Sequence, residues 1–216
     1  MNKKNFIEEM EKDVGRVKEY IPPIAILITA DAGAGKFQLA RKLSSGLAIY
    51  LLSNDYVRNY FCQLSTDKSE DVGLEIQDKV SEVNNERVEF LISHRISFVY
   101  DHNIHNMDCY EEIHKKLHNN SFKIFKIRIH SDDNYNIKAI RERKMDYDKK
   151  DKAVIGDNAF YASSFSEDVY WQIKKRKNIT LNDDWFDFVI NRTDDEEKFK
   201  KDILDVVEKI RDYMES

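Results

Sequence analysis

Five short runs of apolar residues alternate along the chain with longer segments whose apolar positions recur at helical spacing. The first run, IAILIT at residues 24–29, has no polar alternation, so both of its faces must be buried, as in a central parallel strand. The other runs that predict strands lie at residues 48–53, 96–101, 122–130 and 185–191. This alternation predicts an α/β fold with a parallel five-stranded sheet that helices flank on both faces.

Amphipathic spacing predicts the helices between these strands. They lie at residues 6–17, 36–43, 72–94, 108–117, 135–144, 168–177 and 193–214, and a shorter helix follows Asp55. Thr193 is the expected N-cap of the last helix, because acidic residues follow it in the first turn. Residues 145–166 are polar and lack periodicity, which predicts an irregular segment.

Composition narrows the class of protein. A chain of 216 residues with 41% apolar and 35% charged residues is globular and long enough for its own core, so we expect a single domain over residues 1–216. The net charge of -5 does not predict a broad basic face for nucleic acid. Cys62 and Cys109 have no ligand spacing, and no apolar run is long enough to span a bilayer. We therefore expect a cytoplasmic protein with reduced thiols and no membrane segment.

The stretch ADAGAGKFQ follows the first predicted strand and opens a helix, the context in which a phosphate-binding loop occurs. Gly33 and Gly35 allow the backbone to curl and direct N–H groups inward, and Lys36 can reach terminal phosphates. The candidate nucleotide-binding residues are Asp31, Ala32, Gly33, Ala34, Gly35, Lys36, Phe37 and Gln38. The alternative is a glycine-rich strand-to-helix turn that binds nothing.

Two positions depart from the usual phosphate loop, which makes it a degenerate Walker A motif. Ala30 stands where the first glycine is usual, a mild change if its φ is negative. Phe37 stands where a serine or threonine hydroxyl ligates Mg²⁺, and a phenyl ring cannot ligate a metal. Gln38 has an amide oxygen that could substitute weakly.

With three further stretches the chain resembles the small P-loop kinases that include polynucleotide 5′-hydroxyl kinases, zeta-type toxins and chloramphenicol phosphotransferase-like enzymes. These stretches are LLSNDYVRNYF, ISFVYDHNIHN and IKAIRERK. The residues that match the family's patterns are Asp55, Arg58, Asp101, Asn103, Arg141 and Arg143. The resemblance spans residues 24–191 and implies the strand order 2-3-1-4-5 and a lid at about residues 141–166.

Asp55 follows the second strand, and ligands of open α/β sheets bind at the carboxyl ends of strands. Its carboxylate could accept the proton of an acceptor hydroxyl, or it could serve as the N-cap of the next helix. Arg58, one turn later, could hold an acceptor phosphate, orient Asp55 or form a surface ion pair.

Asp101 follows the third strand and could hold a metal-bound water, or it could cap a loop. His102 and His105 beside it lack the fixed spacing of a zinc site. The resemblance implies that Arg141 or Arg143 stabilises the transferring phosphoryl group, while the alternative is a solvated helix end. The basic run at residues 174–177 is typical of a solvated helix end, and the alternative is contact with a phosphate-rich acceptor.

Two functions fit these patterns. The first is a kinase that uses ATP, or another nucleoside triphosphate, with Mg²⁺ and transfers the γ-phosphate to a hydroxyl of a small molecule or a nucleic-acid end. The second is a catalytically degenerate nucleotide-binding module with a regulatory or interaction role, which Ala30 and Phe37 favour. A weaker third is an α/β interaction protein with an empty loop. The acceptor, the preferred base and the oligomeric state carry no readable signal.

Overall fold

The computed structural model describes residues 14–57, 77–101, 107–149, 167–176 and 181–215. Five strands form one parallel sheet in the order β2-β3-β1-β4-β5, as the resemblance implies. The strands are β1 (Ile24–Ala30), β2 (Tyr50–Leu52), β3 (Phe98–Tyr100), β4 (Lys123–His130) and β5 (Phe188–Asn191). All seven residues of β1 are buried, because β1 lies at the centre of the sheet with layers of side chains above and below it.

Helices cover both faces of this sheet. They are α1 (Lys36–Leu47), α2 (Gln77–Ser93), α3 (Met107–Asn119), α4 (Asp133–Lys149), α5 (Glu167–Arg176) and α6 (Glu196–Glu215). One core cluster joins α1 and α6 to alternate residues of β1 and β4, among them Ile26 and Ile127. The opposite cluster joins α2 and α3 to the other face, with Leu27 and Phe98 among its members. The result is a three-layer sandwich.

Several element boundaries differ from the sequence prediction. α4 continues through residues 145–149, which were expected to be irregular and to belong to the lid. Before β5, residues 183–185 form a 3-10 turn, because the Asn182 side chain caps it by accepting a hydrogen bond from the Asp184 N–H at 3.1 Å. The N-terminal helix ends at Val14 in the described residues and does not reach Val17, and its earlier part lies outside them.

The prediction that Thr193 caps the last helix is wrong. The Asp195 carboxylate accepts a hydrogen bond from the Lys198 N–H at 2.9 Å, which is the N-cap arrangement for a helix that starts at Glu196. Thr193 instead accepts from the Asp195 N–H at 3.3 Å, one step before the helix. Thr193, Asp194 and Asp195 are all residue types that favour the N-cap position, so the sequence alone does not identify which of them caps the helix.

Candidate functional site

The stretch between β1 and α1 has the curl that the glycines predict. Gly33 and Gly35 have φ values of +92° and +90°, a region that side-chain-bearing residues rarely adopt. Within the loop, the Ala34 N–H donates to the Asp31 carbonyl at 3.3 Å, and α1 begins directly at Lys36. Ala30 is the last residue of β1 and does not have a positive φ, so its replacement of glycine costs little strain.

The loop is packed against two other elements from behind. A Cβ atom on Gly33 would lie 2.7 Å from the backbone oxygen of Asn136, in the first turn of α4. A Cβ atom on Gly35 would lie 3.0 Å from the ring of Phe199, a buried residue of α6. Both glycines are therefore required by close approach as well as by φ.

Phe37 is half-buried and does not belong to the core clusters of the described residues. Its ring lies 5.8 Å from the guanidinium carbon of Arg41, one turn along α1. The Gln38 amide oxygen lies 3.8 Å from the Cβ position of Gly35, so this oxygen is beside the loop, as expected of a substitute donor.

Asp101 follows β3 and is 2% exposed. Its two carboxylate oxygens accept hydrogen bonds from the Ser53 hydroxyl at 2.8 Å and from the Asn54 N–H at 3.1 Å. The Ser53 oxygen in turn accepts from the Asp55 N–H at 3.2 Å, and the helix after β2 begins at Asn54. Ser53 is therefore the N-cap, and the alternative that Asp55 is the cap is wrong.

The charges of three predicted site residues, Lys36, Asp55 and Asp101, interact at this edge of the sheet. The pKa of the Asp101 carboxyl is raised to about 7, mainly by burial and also by the nearby charge of Asp55, and Lys36 and the hydrogen bonds from Ser53 and Asn54 offset part of this rise. The loop lysine and the carboxylates after β2 and β3 thus lie close enough to interact. In this group, beside a curled backbone, the lysine can bind phosphate and a carboxylate can accept a proton.

Of the remaining predicted site residues, the structure describes the side chain of Arg141, which is bound elsewhere. Arg141 is on α4, and its guanidinium forms an ion pair with Glu167 of α5, with the Arg141 Nε at 3.1 Å from the carboxylate. The side chain of Arg143 lies outside the described residues, as do those of Lys144 and Cys109. Other residues outside them are Arg58, Cys62, His102, Asn103 and His105. Among the described residues, no group of three or more acidic, histidine or cysteine side chains could hold a metal ion.

Helix α5 contacts both α4 and the phosphate loop. Tyr170 is 2% exposed and packs with Ile137 and Ile140 of α4 and with Ala32 of the loop. Its hydroxyl donates to the Asp133 carboxylate at 2.6 Å. Burial tends to raise the pKa of Asp133, but hydrogen bonds from Lys174 and Tyr170 outweigh it and hold the pKa below its ordinary value.

Lys174, a member of the basic run at residues 174–177, forms an ion pair with Asp133 in which both side chains remain more than a third exposed. The pair ties α5 to the first turn of α4. Together with Tyr170 it holds α5 beside the loop.

Sequence reasoning missed Arg192, which directly follows β5. It is 5% exposed, and its guanidinium carbon lies 4.0 Å from the centre of the Phe199 ring and 5.0 Å from that of Tyr135. Its Nη2 group donates to the Glu196 carboxylate, while Nε and Nη1 are buried and have no hydrogen-bond partner among the residues that the structure describes. The signal was available, because Arg192 occupies the same strand-end position after β5 as Asp101 after β3.

A polar pocket of about 180 Å³ adjoins this arginine. Its lining residues are Tyr135, Lys138, Ala139, Glu142, Asp194 and Glu196. It lies between α4 and the segment that leads into α6, the two elements that pack behind the loop glycines. An ion pair between Lys138 and Asp194, at 2.8 Å, joins the two sides.

The chain matches a known family in sequence and known proteins in structure. The family model for the Zeta toxin matches residues 8–151. A provisionally assigned kinase from Chloroflexus aurantiacus J-10-fl is similar in structure, with a TM-score of 0.63, 16% identity, and coverage of 88% of this chain and 98% of the other. A structure of the PezAT chromosomal toxin–antitoxin system of Streptococcus pneumoniae has a TM-score of 0.61, 17% identity, and coverage of 98% and 95%.

A gluconokinase from Sinorhizobium meliloti 1021 has a TM-score of 0.54, 10% identity, and coverage of 90% of this chain and 98% of the other. At these identities the structural likeness establishes the fold. Among curated proteins, none matches the chain in sequence. No helix within the described ranges combines the length and apolar character needed to cross a membrane.

Proposed function

The chain belongs to the Zeta toxin family, whose model covers most of its length, and from this membership we propose that it is a nucleotide-dependent phosphotransferase. It transfers the terminal phosphate of ATP, or of another nucleoside triphosphate, to a hydroxyl of a small molecule or a nucleic-acid end. The observation that carries the proposal is the meeting of Lys36, Asp55 and Asp101 beside a curled glycine loop.

In this mechanism the loop N–H groups and Lys36 bind the β- and γ-phosphates. Asp55 accepts the proton of the acceptor hydroxyl as its oxygen bonds to the γ-phosphorus, and the bond from phosphorus to the β–γ bridging oxygen breaks. The charge that leaves with the diphosphate is stabilised by Lys36 and the start of α1. Asp101 holds the Ser53–Asn54 turn that carries Asp55.

Mg²⁺ is the ion that such a reaction ordinarily uses, and the donor set fits a mostly hydrated ion. Asp101 offers carboxylate oxygens, the ligands that Mg²⁺ prefers, and Phe37 removes one protein ligand. Asp101 would hold the ion through water, because both of its oxygens already accept hydrogen bonds. When bound, the ion would neutralise charge on the phosphates.

We place the base of the nucleotide toward the Tyr135–Asp194 pocket, because α4 and α6 connect this pocket to the back of the loop. Arg141 contributes to phosphoryl transfer in this proposal only after it exchanges Glu167 for phosphate. The lid region then includes the end of α4 as well as α5.

Binding is tested by calorimetric titration of nucleotide into Lys36→Ala. We expect affinity to fall by about 1.5–3 kcal/mol, the contribution of charge-assisted hydrogen bonds. The matched control is Lys201→Ala on the exposed side of α6, which should bind as the unmodified protein does. Equal affinity in both variants would exclude phosphate binding at the loop.

Transfer is tested with Asp55→Asn against a panel of hydroxyl acceptors. We expect the turnover rate to fall about 10²-fold or more, the usual contribution of a general base, with nucleotide affinity unchanged. Asp205→Asn, an exposed site on α6, is the control. Full turnover in Asp55→Asn would leave this residue no catalytic role.

The degenerate-module alternative depends on Phe37. Absence of turnover by the unmodified protein with every acceptor, together with nucleotide binding that depends on Lys36, would favour it over the phosphotransferase.

A further inference from the structure

A chain of buried and part-buried hydrogen bonds connects α2 to the turn that carries Asp55. The Asn84 Nδ2 group donates to the Asn54 side-chain oxygen at 2.6 Å, and the Tyr100 hydroxyl donates to the same oxygen at 3.3 Å. Arg87 Nη1 donates to the Asn84 oxygen at 3.0 Å, and Arg87 Nη2 donates to the Tyr50 hydroxyl at 2.8 Å. Asn84 is 0% exposed and Arg87 is 3% exposed.

Arg87 fixes which way the Asn84 amide faces. A guanidinium can only donate hydrogen bonds, so the Asn84 atom that it contacts must be the oxygen. The Asn84 NH₂ group is then the one that faces Asn54, and Asn54 must present its oxygen. The donor and acceptor order along the chain is therefore determined by the arginine and cannot reverse without leaving a buried group unpaired.

Asn54 is held from two sides by these contacts. Its backbone N–H donates to Asp101, and its side-chain oxygen accepts from Asn84 and Tyr100. Asp55 is the next residue, and its N–H donates to the Ser53 hydroxyl oxygen, two residues back. The placement of the Asp55 backbone thus depends on how firmly Asn54 is held.

We propose that Asn84 is a positioning residue for Asp55, which acts from α2 through the Asn54 side chain. This inference rests on the proposed function, in which Asp55 accepts the proton of the acceptor. Reactions of this kind are sensitive to small displacements, and a shift of about 1 Å can lower a rate by about 10²-fold. Asn84 itself does not touch the reacting atoms.

The test is the steady-state kinetics of Asn84→Ala. We expect kcat to fall between about tenfold and 10²-fold, with KM and nucleotide affinity unchanged. Ser97→Ala is the matched control, because Ser97 is buried and the change removes its hydrogen bond from the Ile24 N–H, at the opposite end of β1 and outside this chain of hydrogen bonds. It should lower stability and leave kcat unchanged. Equal losses of kcat in both variants would indicate general loosening and would overturn the proposal.

A double-mutant cycle separates a role through Asn54 from an independent one. In an Asn54→Ala background, Asn84→Ala should lower kcat no further, and additive losses would overturn the proposal. Should Asn84→Ala fail to fold, Tyr100→Phe removes the weaker donor to the same oxygen and should lower kcat in the same direction by a smaller factor. No loss of kcat in that variant would count against the proposal.

Amide hydrogen exchange distinguishes failure of this inference from failure of the proposed function. In Asn84→Ala the N–H groups of Asn54 and Asp55 should exchange faster than in the unmodified protein, while those of β1 should not. This result is expected even if no acceptor is phosphorylated. Unchanged protection at Asn54 and Asp55 would show that Asn84 does not hold the turn, whatever the activity.

Discussion

Substitution of Gly33 by alanine tests directly whether the curl of the loop is required for nucleotide binding. Gly33 has a φ of +92°, and an alanine in this region costs about 1–2 kcal/mol of strain. Its Cβ would lie 2.7 Å from the Asn136 backbone oxygen, where ordinary contact begins at 3.4 Å. A backbone oxygen cannot rotate aside, so the loop or the start of α4 must move, at a further cost of about 1–3 kcal/mol.

We expect Gly33→Ala to lower the free energy of unfolding by about 2–5 kcal/mol, which for a chain of this size corresponds to a fall in Tm of roughly 4–20 °C. The displaced loop should lose at least one charge-assisted hydrogen bond to phosphate, so nucleotide affinity should fall about tenfold to 10²-fold. Thermal unfolding without ligand measures the first effect. Calorimetric titration at a temperature where the variant is folded measures the second.

Gly46→Ala provides the control. Its Cβ would also meet a neighbour at 2.7 Å, but this neighbour is the Val207 side chain, in the interface between α1 and α6 away from the phosphate loop. Gly46 is not at positive φ, and alanine is favoured over glycine in a helix by about 1 kcal/mol, which offsets part of the crowding. We expect lower stability with unchanged nucleotide affinity. Nucleotide affinity in Gly33→Ala equal to that in Gly46→Ala would refute the claim that the curl is needed for binding.

Two further predictions concern the metal position and the buried acid. Because Phe37 replaces the metal-ligating hydroxyl, nucleotide should bind nearly as well in chelator as in Mg²⁺, and strong Mg²⁺ dependence in the unmodified protein would contradict this. Phe37→Ser should make nucleotide binding depend on Mg²⁺. Its cost in stability should be about 1 kcal/mol, since the ring is only half-buried. The pKa of Asp101 is about 7 in the folded protein, against an ordinary 3.8 in the unfolded chain. Protonated Asp101 therefore contributes fully to stability below pH 4, and this contribution, about 4 kcal/mol, is lost as the pH rises through 7. Urea unfolding at pH 5 and pH 8 should therefore show a smaller decline in Asp101→Asn than in the unmodified protein, and equal declines would count against a buried, protonated Asp101.

The sheet and the loop were predictable from the sequence because each depends on local pattern. Continuous apolar runs identify buried parallel strands, and glycines beside a lysine between a strand and a helix identify the loop. The strand order needed the resemblance as well. The strand-end rule also placed Asp55 and Asp101 at one edge, where their charges do interact.

What the sequence could not predict depends on contacts between distant residues. Asn84 and Arg87 occupy polar positions of an amphipathic helix, and such positions are usually read as solvent-facing. Here they are buried, because Asn54 and Tyr50 accept their hydrogen bonds across the fold. Arg141 was expected near the phosphates, but Glu167, 26 residues later, binds it. Helical spacing contains no information about such partners.

The contacts behind the two loop glycines bear on how a protein of this kind changes during evolution. Gly33 meets the backbone of α4 and Gly35 meets a core side chain of α6, so selection for folding alone would retain both glycines in a descendant that no longer used nucleotide. Lys36 and Asp55 are under no such requirement, since neither is a core residue. In a lineage that abandoned phosphoryl transfer, the lysine and the aspartate would drift first, and the glycines would persist. All four residues are present in this chain, as the proposed phosphoryl transfer requires.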